Sequence, residues 1–366
     1  MPERRSTPRD RADRPGPRTA SRRRVVVFTA IAAVCVAALV VYLVVQRQRD
    51  DAAAAAAAAD EASRTRLEVA DVLAVPHVVV RSTEPGPSYG HVALVPLSDP
   101  DGPRAVLDLA CERVSAVDSG AVCLQEVPGL VTAYRAVFLN GDLAEVGSQE
   151  LGGIPSRARV SSGGSYAATT VFVSGHSYAD AQFSTETVVT ETAGLVSHGD
   201  LESWTTLRDG VPVTAEDRNF WGVSFVGDGP AFYATMGTGG ERFLVRGDVT
   251  TRTLTVEEQD GACPSVSADE ATIVLKEQDP ESRNDHFVAL DVGTGARTPL
   301  AEGRLVDDQV AWLDDERVLY AVGKGVASSV DFDVWAADVE GGEPVLLVPD
   351  ASSPSVVTGD GQDQDP

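Results

Sequence analysis

The feature that most constrains this sequence is an uncharged run of 21 residues from Val25 to Val45, VVVFTAIAAVCVAALVVYLVV. A helix of that length rises about 30 Å, which matches the hydrocarbon core of a bilayer. Nine arginines and three acidic residues precede the run, whereas the two arginines that follow it are met at once by Asp50 and Asp51. Because cytoplasmic flanks carry the excess of arginine, we expect a single-pass membrane protein with its N-terminus in the cytoplasm and its C-terminal domain outside.

A cleaved signal peptide is the alternative interpretation of the same run. The run is longer than an apolar signal-peptide region of about 7–15 residues, and no small-x-small site follows Val45 closely, which favours a retained anchor. The eight alanines of Ala52–Ala59 are a place where cleavage is still possible. The domains expected from the sequence are a disordered basic cytoplasmic tail (1–24), a transmembrane helix (25–45), an alanine-rich spacer (46–74), a repeat domain (75–357) and a disordered acidic tail (358–366).

Charge is divided unevenly along the chain. The formal net charge is −25, and residues 1–50 hold eleven arginines against four acids, which leaves −32 on residues 51–366. An acidic surface disfavours nucleic acid, whose phosphates bind to basic patches. Solubility is the simpler explanation of this charge, and a basic partner is the alternative. Two lysines against 28 arginines are typical of a GC-rich bacterial genome, so the expected location is a bacterial plasma membrane.

The cysteines indicate one disulfide. Cys111 and Cys123 flank a predicted hairpin turn at residues 118–120, and a bond between them suits an extracytoplasmic compartment. Cys35 lies in the apolar run, and Cys263 is left as an odd thiol without an assigned role. No CxxC pair and no histidine spacing suggests ligation, so we expect neither a metal site nor a cofactor.

A repeat of about 45 residues organises the chain from Val75 onward. Short runs of β-branched and aromatic residues alternate with Gly, Asp and Pro turns, which predicts an almost entirely β structure. Equivalent positions of five copies are separated by 45, 64, 42 and 45 residues; they are Ala116, Ser161, Phe225, Ser267 and Trp312. Four strands in about 45 residues is the size of a propeller blade. A sixth blade begins at Val75, and Ser353–Val357 is expected to complete it and close the ring. The fold class is therefore all-β, a six-bladed β-propeller after one transmembrane helix.

These repeats resemble the WD40-like repeats of TolB-like propellers, in which a strand, an SxDG turn, a second strand and a (Y/V)xxD–Gly segment recur. The resemblance covers roughly residues 75–357 and implies a membrane-anchored bacterial propeller. Several copies depart from the motif: residues 161–164 (SSGG) lack the aspartate, residues 267–270 (SADE) lack the glycine, and Leu313–Asp315 replaces the start of the turn. The α/β domain that precedes the propeller of TolB has no room in residues 60–75, so the partners of TolB are not carried over.

Two regions supply candidate binding residues. The long interval between Ser161 and Phe225 contains an insertion, residues 200–219, where exposed Trp and Arg side chains would be typical anchors of a partner. The candidates from this region and the strand after it are Trp204, Arg208, Arg218, Asn219 and Trp221. Trp221, together with Phe220, is alternatively core between blades.

The second region is a loop around Gly175–Ala179, GHSYA, which comes close to the G-x-S-x-G nucleophile elbow. An elbow requires an α/β-hydrolase sheet, which we do not expect here, so His176 and Tyr178 are predicted as binding residues and Ser177 as non-catalytic. Asp307 and Asp308 precede an opening strand, so they are candidates for an acidic and aromatic rim around the central channel. On a strand, adjacent acids point to opposite faces, which disfavours a shared metal.

Taken together, these observations favour a non-enzymatic scaffold that binds a protein or a component of the cell envelope. The alternative is a propeller enzyme, namely a hydrolase, lyase or lactonase with a metal in the central channel. A third possibility, a sensor, has little support because the basic tail is too short for a signalling domain. We expect no catalytic residue among the candidates.

The arginine bias leads to a test of topology. Protease added to intact protoplasts should degrade the C-terminal domain or cut near Ala52–Ala59, because both lie outside the membrane in the expected orientation. Immunoblotting with an antibody against the C-terminal domain measures the outcome. A C-terminal domain that stays intact until detergent is added would show the opposite orientation.

Overall fold

The computed structural model describes residues 18–173, 184–304, 306, 308–325 and 330–359, with side chains from residue 24 onward. The chain divides into two compact units, residues 1–62 and residues 63–366, and each is described by itself.

The first unit contains one described helix, α1, from Arg18 to Ser63. The side chains of Val25–Val45 are exposed on every side of this helix, as suits hydrocarbon rather than water. The alanine run continues the helix without a break, because alanine has the highest helix propensity. In the described part of the chain, α1 is the one helix long and apolar enough to cross a membrane, a test that a signal sequence near the N-terminus also passes.

The second unit is built of strands arranged in six sheets. A short helix, α2 (Val69–Leu73), precedes them. Blade 1 contains β1 (His77–Ser82), β2 (His91–Pro96), β3 (Ala105–Ala110) and β26 (Ala351–Val357); blade 2 contains β4 (Arg113–Val117), β5 (Gly120–Val127), β6 (Ala133–Asn140) and β7 (Glu145–Leu151); blade 3 contains β8 (Ile154–Val160), β9 (Tyr166–Val173), β10 (Ser184–Glu191) and β11 (Val196–Asp200). Blade 4 contains β14 (Asn219–Phe225), β15 (Ala231–Thr238), β16 (Glu241–Asp248) and β17 (Thr253–Gln259), with β12 (Thr205–Arg208) and β13 (Val211–Pro212) added; blade 5 contains β18 (Ala262–Val266), β19 (Thr272–Gln278), β20 (Asp285–Asp291) and β21 (Arg297–Pro299); blade 6 contains β22 (Ala311–Trp312), β23 (Arg317–Gly323), β24 (Phe332–Asp338) and β25 (Val345–Val348).

The six-bladed propeller predicted from the repeats is confirmed, and so is its closure. β26 pairs antiparallel with β1, with His77 opposite Val357, Val78 opposite Val356 and Val79 opposite Ser355. The closing strand begins at Ala351, two residues before the predicted start. Because β26 comes from the C-terminal end and the rest of blade 1 from the start of the domain, the two ends of the propeller are joined in one sheet.

The predicted disulfide between Cys111 and Cys123 is also present, with Cα atoms 5.5 Å apart. The hairpin between β4 and β5 turns as predicted, with Val117 opposite Gly120. Cys111 lies in the connection from blade 1 to blade 2, where its carbonyl oxygen accepts a hydrogen bond from Arg81 Nε at 2.8 Å. The disulfide therefore ties this crossover to the second strand of blade 2.

The insertion of residues 200–219 is part of a blade rather than an open loop. After a 3-10 turn at Leu201–Ser203, β12 runs parallel to β17 and extends blade 4 at its outer edge. Trp204 is 4% exposed and meets the ring of Phe232 edge-on at 5.9 Å. The expectation that Trp204 is an exposed anchor is therefore wrong, because the 3-10 turn carries this indole into the core between blades 3 and 4.

Asp228 explains how blade 3 tolerates a turn without its own aspartate. Its carboxylate reaches across from blade 4 and accepts hydrogen bonds from the hydroxyls of Ser161 and Ser165, both at 2.6 Å, and from the N–H of Ser165 at 2.9 Å. In blade 5 the same role is filled within the turn, where Ser267 donates to Asp269 at 2.5 Å. Because the turn of blade 3 lacks its own aspartate, Asp228 of blade 4 takes that place, and its hydrogen bonds connect the two blades.

Removal of the closing strand tests the architecture. Without residues 351–366, β1 loses one of its two neighbouring strands, and the backbone beside Val78 and Val80, both 0% exposed, becomes an open edge. Because net stability of a domain is only about 5–15 kcal/mol, we expect this variant to unfold or aggregate. Thermal unfolding of the full chain and of the truncated chain in detergent micelles, followed by circular dichroism, measures the loss.

The matched control is a chain that ends at Gly359 and so keeps every described strand. It should melt within a few degrees of the full chain. Equal melting of the two truncated chains would contradict a closed ring.

Candidate functional site

A cleft of about 370 Å³ opens between blades 3 and 4, and we call it the blade 3–4 cleft. It lies at the end of the propeller where β8 and β14 begin and where the turn from β15 to β16 lies. The residues that line it are Ser156, Arg157, Phe172, Thr185, Asp217, Asn219, Trp221, Gly237, Thr238, Gly239, Gly240, Glu241 and Arg242. Two of the predicted candidates, Asn219 and Trp221, are therefore brought together in one concave site.

Trp221 provides the aromatic wall of the cleft. It is half-buried on β14, and its ring lies so close to Gly237 that a Cβ atom there would come within 2.8 Å of it. Phe172, at the end of β9, is 39% exposed and supplies a second apolar surface. Apolar rings that remain accessible in a concave site are typical of binding surfaces.

The glycine turn beside Trp221 is fixed by Asp217. Gly239 and Gly240 have φ values of +61° and +78°, which side chains other than glycine rarely adopt. Asp217 accepts hydrogen bonds from the N–H of Gly239 and the hydroxyl of Thr238, both at 2.7 Å. The N–H of Gly239, and next the Thr238 hydroxyl, hold the pKa of this carboxyl below its usual value. The rim of the cleft is therefore preorganised.

Asn219 joins the two blades at the base of the cleft. Its Oδ1 accepts a hydrogen bond from the N–H of Thr185 on β10 at 2.9 Å, and its Nδ2 donates to the carbonyl oxygen of Asp217 at 2.9 Å. Arg218 donates instead to the hydroxyl of Thr206 and the carbonyl oxygen of Ala215, both at 3.0 Å. Asn219 and Arg218 thus position the walls of the cleft.

Two arginines bring positive charge to the cleft. Arg242 donates to Asp285 at 2.8 and 3.0 Å and to Asp260 at 2.8 Å. Burial lowers the pKa of this guanidinium, but the hydrogen bonds to Asp260 and Asp285 outweigh burial and raise it. Arg157 donates to the carbonyl oxygen of Ser156 at 3.0 Å. Arg208 lies outside the lining; it is exposed and stacks over the ring of Phe243, 4.9 Å from its centroid.

Glu202 lies behind the cleft, in the 3-10 turn. Its carboxylate accepts hydrogen bonds from the N–H of Phe220 at 3.1 Å, the N–H of Thr187 at 3.2 Å and the hydroxyl of Thr185 at 3.3 Å. Burial raises the pKa of Glu202 to about 7, and the backbone donors Thr187 and Phe220 oppose this rise. One carboxyl group thus connects β10 to β14 and titrates near neutrality.

A second cavity, of about 20 Å³, lies at the central channel, and we call it the channel cavity. Its lining residues are Arg113, Val114, Ser115, Arg157, Ala158, Arg159, Asp308, Gln309, Ser353, Pro354 and Ser355. The predicted convergence of opening strands is found here. Arg159 donates to the carbonyl oxygen of Val310 at 2.8 Å, and Gln309 Nε2 donates to the carbonyl oxygens of Pro264 at 2.6 Å and Val223 at 3.0 Å.

The character of the channel differs from the predicted acidic and aromatic rim. Asp308 lines it as expected, but Phe220 is 0% exposed and Trp221 belongs to the cleft. Three arginines instead dominate the lining. Burial lowers the pKa of Arg159 to about 10, while the charge of Asp308 acts to raise it. The signal for these arginines was present in the sequence, because Arg157 and Arg159 are two residues apart on an opening strand and therefore share a face.

Three of the predicted site residues, His176, Tyr178 and Asp307, lie outside the described residues. Within residues 18–173, 184–304, 306, 308–325 and 330–359, no group of three or more His, Cys, Asp or Glu side chains could hold a metal ion.

Comparison with known proteins supports the fold. No family model and no curated protein matches this sequence. Among solved structures, TolB from Acinetobacter baumannii is 14% identical, with a TM-score of 0.51; the match covers 77% of this chain and 66% of that one. A structure from a nidogen/laminin complex is 10% identical, with a TM-score of 0.50, and the match covers 77% of this chain and 97% of that one.

These findings define the class of the protein. It is a six-bladed β-propeller with an N-terminal apolar helix, and its predicted resemblance to TolB-like propellers is confirmed at the level of the fold. At these identities the similarity shows the fold alone, and the chain spans 66% of the TolB structure it matches. Function must therefore be argued from the sites themselves.

Glu202 makes a pH-dependent prediction. Between its ordinary value of 4.5 and about 7, the folded chain retains a proton at Glu202 that the unfolded chain releases, so its contribution to stability falls as pH rises through this window. Replacing Glu202 by Gln should make the free energy of unfolding less dependent on pH between 5 and 8. One pKa unit corresponds to about 1.4 kcal/mol. Between pH 5 and 8 we therefore expect the free energy of unfolding of the wild type to fall, relative to that of the Glu202→Gln variant, by on the order of 2 kcal/mol.

Urea unfolding of the full chain in micelles at pH 5, 6, 7 and 8 measures this difference. Glu257→Gln is the control, since Glu257 is an exposed glutamate on β17 of the same blade. A pH profile of the Glu202 variant that parallels those of the wild type and the control would contradict the assignment.

Proposed function

We propose that this chain is a bacterial single-pass membrane protein whose propeller, held outside the cytoplasm, binds a protein partner through the blade 3–4 cleft without catalysing a reaction. The observation that carries the proposal is the accessible aromatic wall of Trp221 and Phe172 beside a turn whose backbone is already fixed by Asp217. A preorganised surface loses little conformational entropy on binding, so more of the contact energy is retained as affinity.

The chemistry of the cleft suits a polypeptide. A half-buried Trp, an exposed Phe and an arginine held by two carboxylates reproduce the composition of protein interfaces, where aromatic residues and Arg are enriched at the centre and the rim is polar. Glycine at positions 239 and 240 also leaves the backbone of the turn open to an approaching chain. The charges on the rim are of both signs, so the partner needs no strong charge of its own.

The polar groups of the cleft support binding over catalysis. Asp217 is committed to the glycine turn, and Arg242 is held by two carboxylates. In the channel, the described lining includes the guanidinium groups of Arg113, Arg157 and Arg159, which donate hydrogen bonds to backbone carbonyl oxygens and offer no lone pair to a metal ion. This electrostatic environment favours the binding function over the alternative of an enzyme with a metal in the channel.

Three features support the proposed location. The apolar run lies in a continuous helix, and arginine predominates before it. The Cys111–Cys123 bond suits an oxidising compartment on the far side of the membrane. The strongly acidic propeller would remain soluble there and would have little attraction for anionic headgroups.

Site-directed crosslinking tests the proposal. A photoreactive amino acid in place of Glu241, an exposed residue of the cleft rim, should give a crosslinked product when cells that express the full chain are irradiated. Replacing Trp221 by Ala in the same chain should reduce the yield about tenfold or more, as expected when an aromatic anchor of an interface is removed.

Two controls accompany this experiment. The probe at Glu343, an exposed glutamate in blade 6, should give no such product. Trp335→Ala removes an indole of blade 6 that stacks against Arg304, and should leave the yield from position 241 unchanged. Crosslinking from position 343 alone, or a product insensitive to Trp221→Ala, would exclude the blade 3–4 cleft as the binding site.

A further inference from the structure

Several polar side chains of the blade 3–4 cleft are already engaged within the protein. Both carboxylate oxygens of Asp217 accept hydrogen bonds from the turn between β15 and β16. The carboxylate of Glu241 accepts one from Gln259 Nε2 at 3.1 Å, and Asn219 Oδ1 accepts one from the N–H of Thr185. Acceptors that these side chains could offer to the backbone N–H groups of a bound chain are therefore largely occupied.

The indole N–H of Trp221 is, by contrast, an available donor. Trp204 Nε1 donates to the carbonyl oxygen of His198 at 3.3 Å, and Trp312 Nε1 donates to that of Ser265 at 3.2 Å. In the described part of the chain, no atom accepts a hydrogen bond from Trp221 Nε1, which is not sealed from solvent. A ligand with a carbonyl oxygen beside the ring would satisfy this donor.

The position of this indole is set by a glycine. The six-membered ring of Trp221 packs so closely on Gly237 that a Cβ atom there would come within 2.8 Å of Cη2 and 2.9 Å of Cζ3. Backbone supports the ring at this point, and the side chain stays half-buried in the cleft. A fixed apolar ring beside a donor suits a ligand in which a second apolar ring adjoins a carbonyl oxygen, as in every proline residue.

The shape of the cleft argues against two of the common ways in which a peptide binds. Strand addition needs an unpaired strand edge, whereas the cleft is formed by the beginnings of β8 and β14 and by the turn from β15 to β16. An α-helix is about 10–12 Å across, which is wide for a cleft of about 370 Å³. A polyproline II helix has about three residues per turn and rises about 3.1 Å per residue, so one turn spans only about 9 Å.

A proline-rich chain also matches the hydrogen-bonding groups of the cleft. Proline has no backbone N–H, so a run of prolines brings acceptors and needs none in return. Its polyproline II conformation exists before binding, so little conformational entropy is lost. A glycan would bring many hydroxyl groups, each of them a donor and an acceptor, and the engaged side chains of the cleft suit them poorly.

We propose that the blade 3–4 cleft binds a polyproline II segment of its protein partner, with a proline ring packed against Trp221 and the indole N–H donating to a backbone carbonyl oxygen of that segment. Gly237 is the positioning residue of the indole. This inference rests on the proposed function and deepens it, because it narrows the partner to a protein that exposes a proline-rich segment.

Fluorescence anisotropy of a fluorescein-labelled octaproline peptide, titrated with the full chain in micelles, tests the inference. Octa-L-proline should bind about tenfold or more tightly than a peptide of Gly-Ser repeats of the same length, which has no preformed helix. It should also bind about tenfold or more tightly than octa-D-proline, which has the same composition but forms a helix of the opposite hand. Micelles treat the two octaprolines alike, so a difference between them reports the protein.

Three variants link the binding to the indole. Trp221→Ala removes the ring and Gly237→Ala displaces it, so each should weaken the binding of octa-L-proline by about tenfold or more. Trp221→Phe keeps an aromatic ring without the donor and should weaken binding by about fivefold, as for one lost hydrogen bond. The control Trp335→Ala, on β24 of blade 6, should bind like the wild type. If an alanine variant of the cleft fails to fold, Trp221→Phe and the two octaprolines on the wild type decide the question.

Three results would overturn the inference. The first is equal affinity for octa-L-proline and octa-D-proline, or no binding of either. The second is binding of octa-L-proline that Trp221→Phe and Trp221→Ala do not weaken. The third is Trp221-dependent binding of a tetramer of N-acetylglucosamine by a chain that does not bind octa-L-proline, which would assign the ring to a glycan.

The crosslink from position 241 separates this inference from the proposed function. Octa-L-proline, added to protoplasts well above its measured Kd during irradiation, should abolish the Trp221-dependent product. A product that depends on Trp221 but persists in the presence of the peptide would overturn the polyproline II inference and still support protein binding at the cleft. Absence of any product would contradict the proposed function itself, whatever the peptide does.

Discussion

The pairing of β26 with β1 is the constraint on which the rest of the structure depends. A blade buries its two faces against its two neighbours, so every blade is complete only when the ring is closed. Closure is achieved by backbone hydrogen bonds between strands about 270 residues apart in sequence, His77–Ser82 and Ala351–Val357. The same closing strand supplies Ser353 and Ser355 to the channel. Ser353 also exchanges hydrogen bonds with the backbone N–H and carbonyl of Val114, at 3.1 and 2.9 Å, so that blade 1 is fastened to blade 2.

The interface between blades 3 and 4 departs most from the regular repeat. It contains the aromatic core around Phe220, Phe225 and Phe232. Hydrogen bonds of Asp228, Asn219 and Glu202 connect the two blades at different positions along the strands. The insertion adds two strands to this side alone. The side chains of the cleft are therefore supported by a packed aromatic core and by hydrogen bonds between the two blades, as a preorganised binding surface requires.

Much of the fold could be predicted from the sequence, because a repeat of about 45 residues constrains the strand number, the blade number and the closing segment at once. The disulfide also followed, since its two cysteines flank one hairpin. The added strands could not be predicted, because β12 and β13 have 4 and 2 residues, too few to show a period. Their pairing is decided by the neighbouring β17, which lies far away in sequence.

The candidate residues show the same limit. Trp204 and Trp221 are both predicted as binding residues, yet the first is buried and the second lines the cleft, because the orientation of a side chain depends on the neighbouring blade. Asn219 and Trp221 are predicted as binding residues and both line the cleft, and their binding role stays a prediction, whereas Arg113, Arg157 and Arg159 of the channel are not among the predicted site residues. The spacing of two residues between Arg157 and Arg159 places both on one face of a strand, but the acidic composition of the domain favours carboxylates as the expected lining of the channel. The roles of His176, Tyr178 and Asp307 stay predictions.

Positive charge inside an acidic protein is consistent with the physics of screening. At physiological ionic strength the Debye length is about 8 Å, so carboxylates on the outer strands contribute little to the field at the channel. Inside the channel nearby groups dominate, and the described lining there includes Arg113, Arg157, Arg159 and Asp308. The acidic exterior and the arginines of the channel can therefore serve separate purposes: the exterior favours solubility, while Arg113 and Arg159 hold the opening strands of different blades together through backbone carbonyl oxygens. Because Arg157 lines both cavities, the channel and the surface of the cleft share one side chain through which each can influence the other.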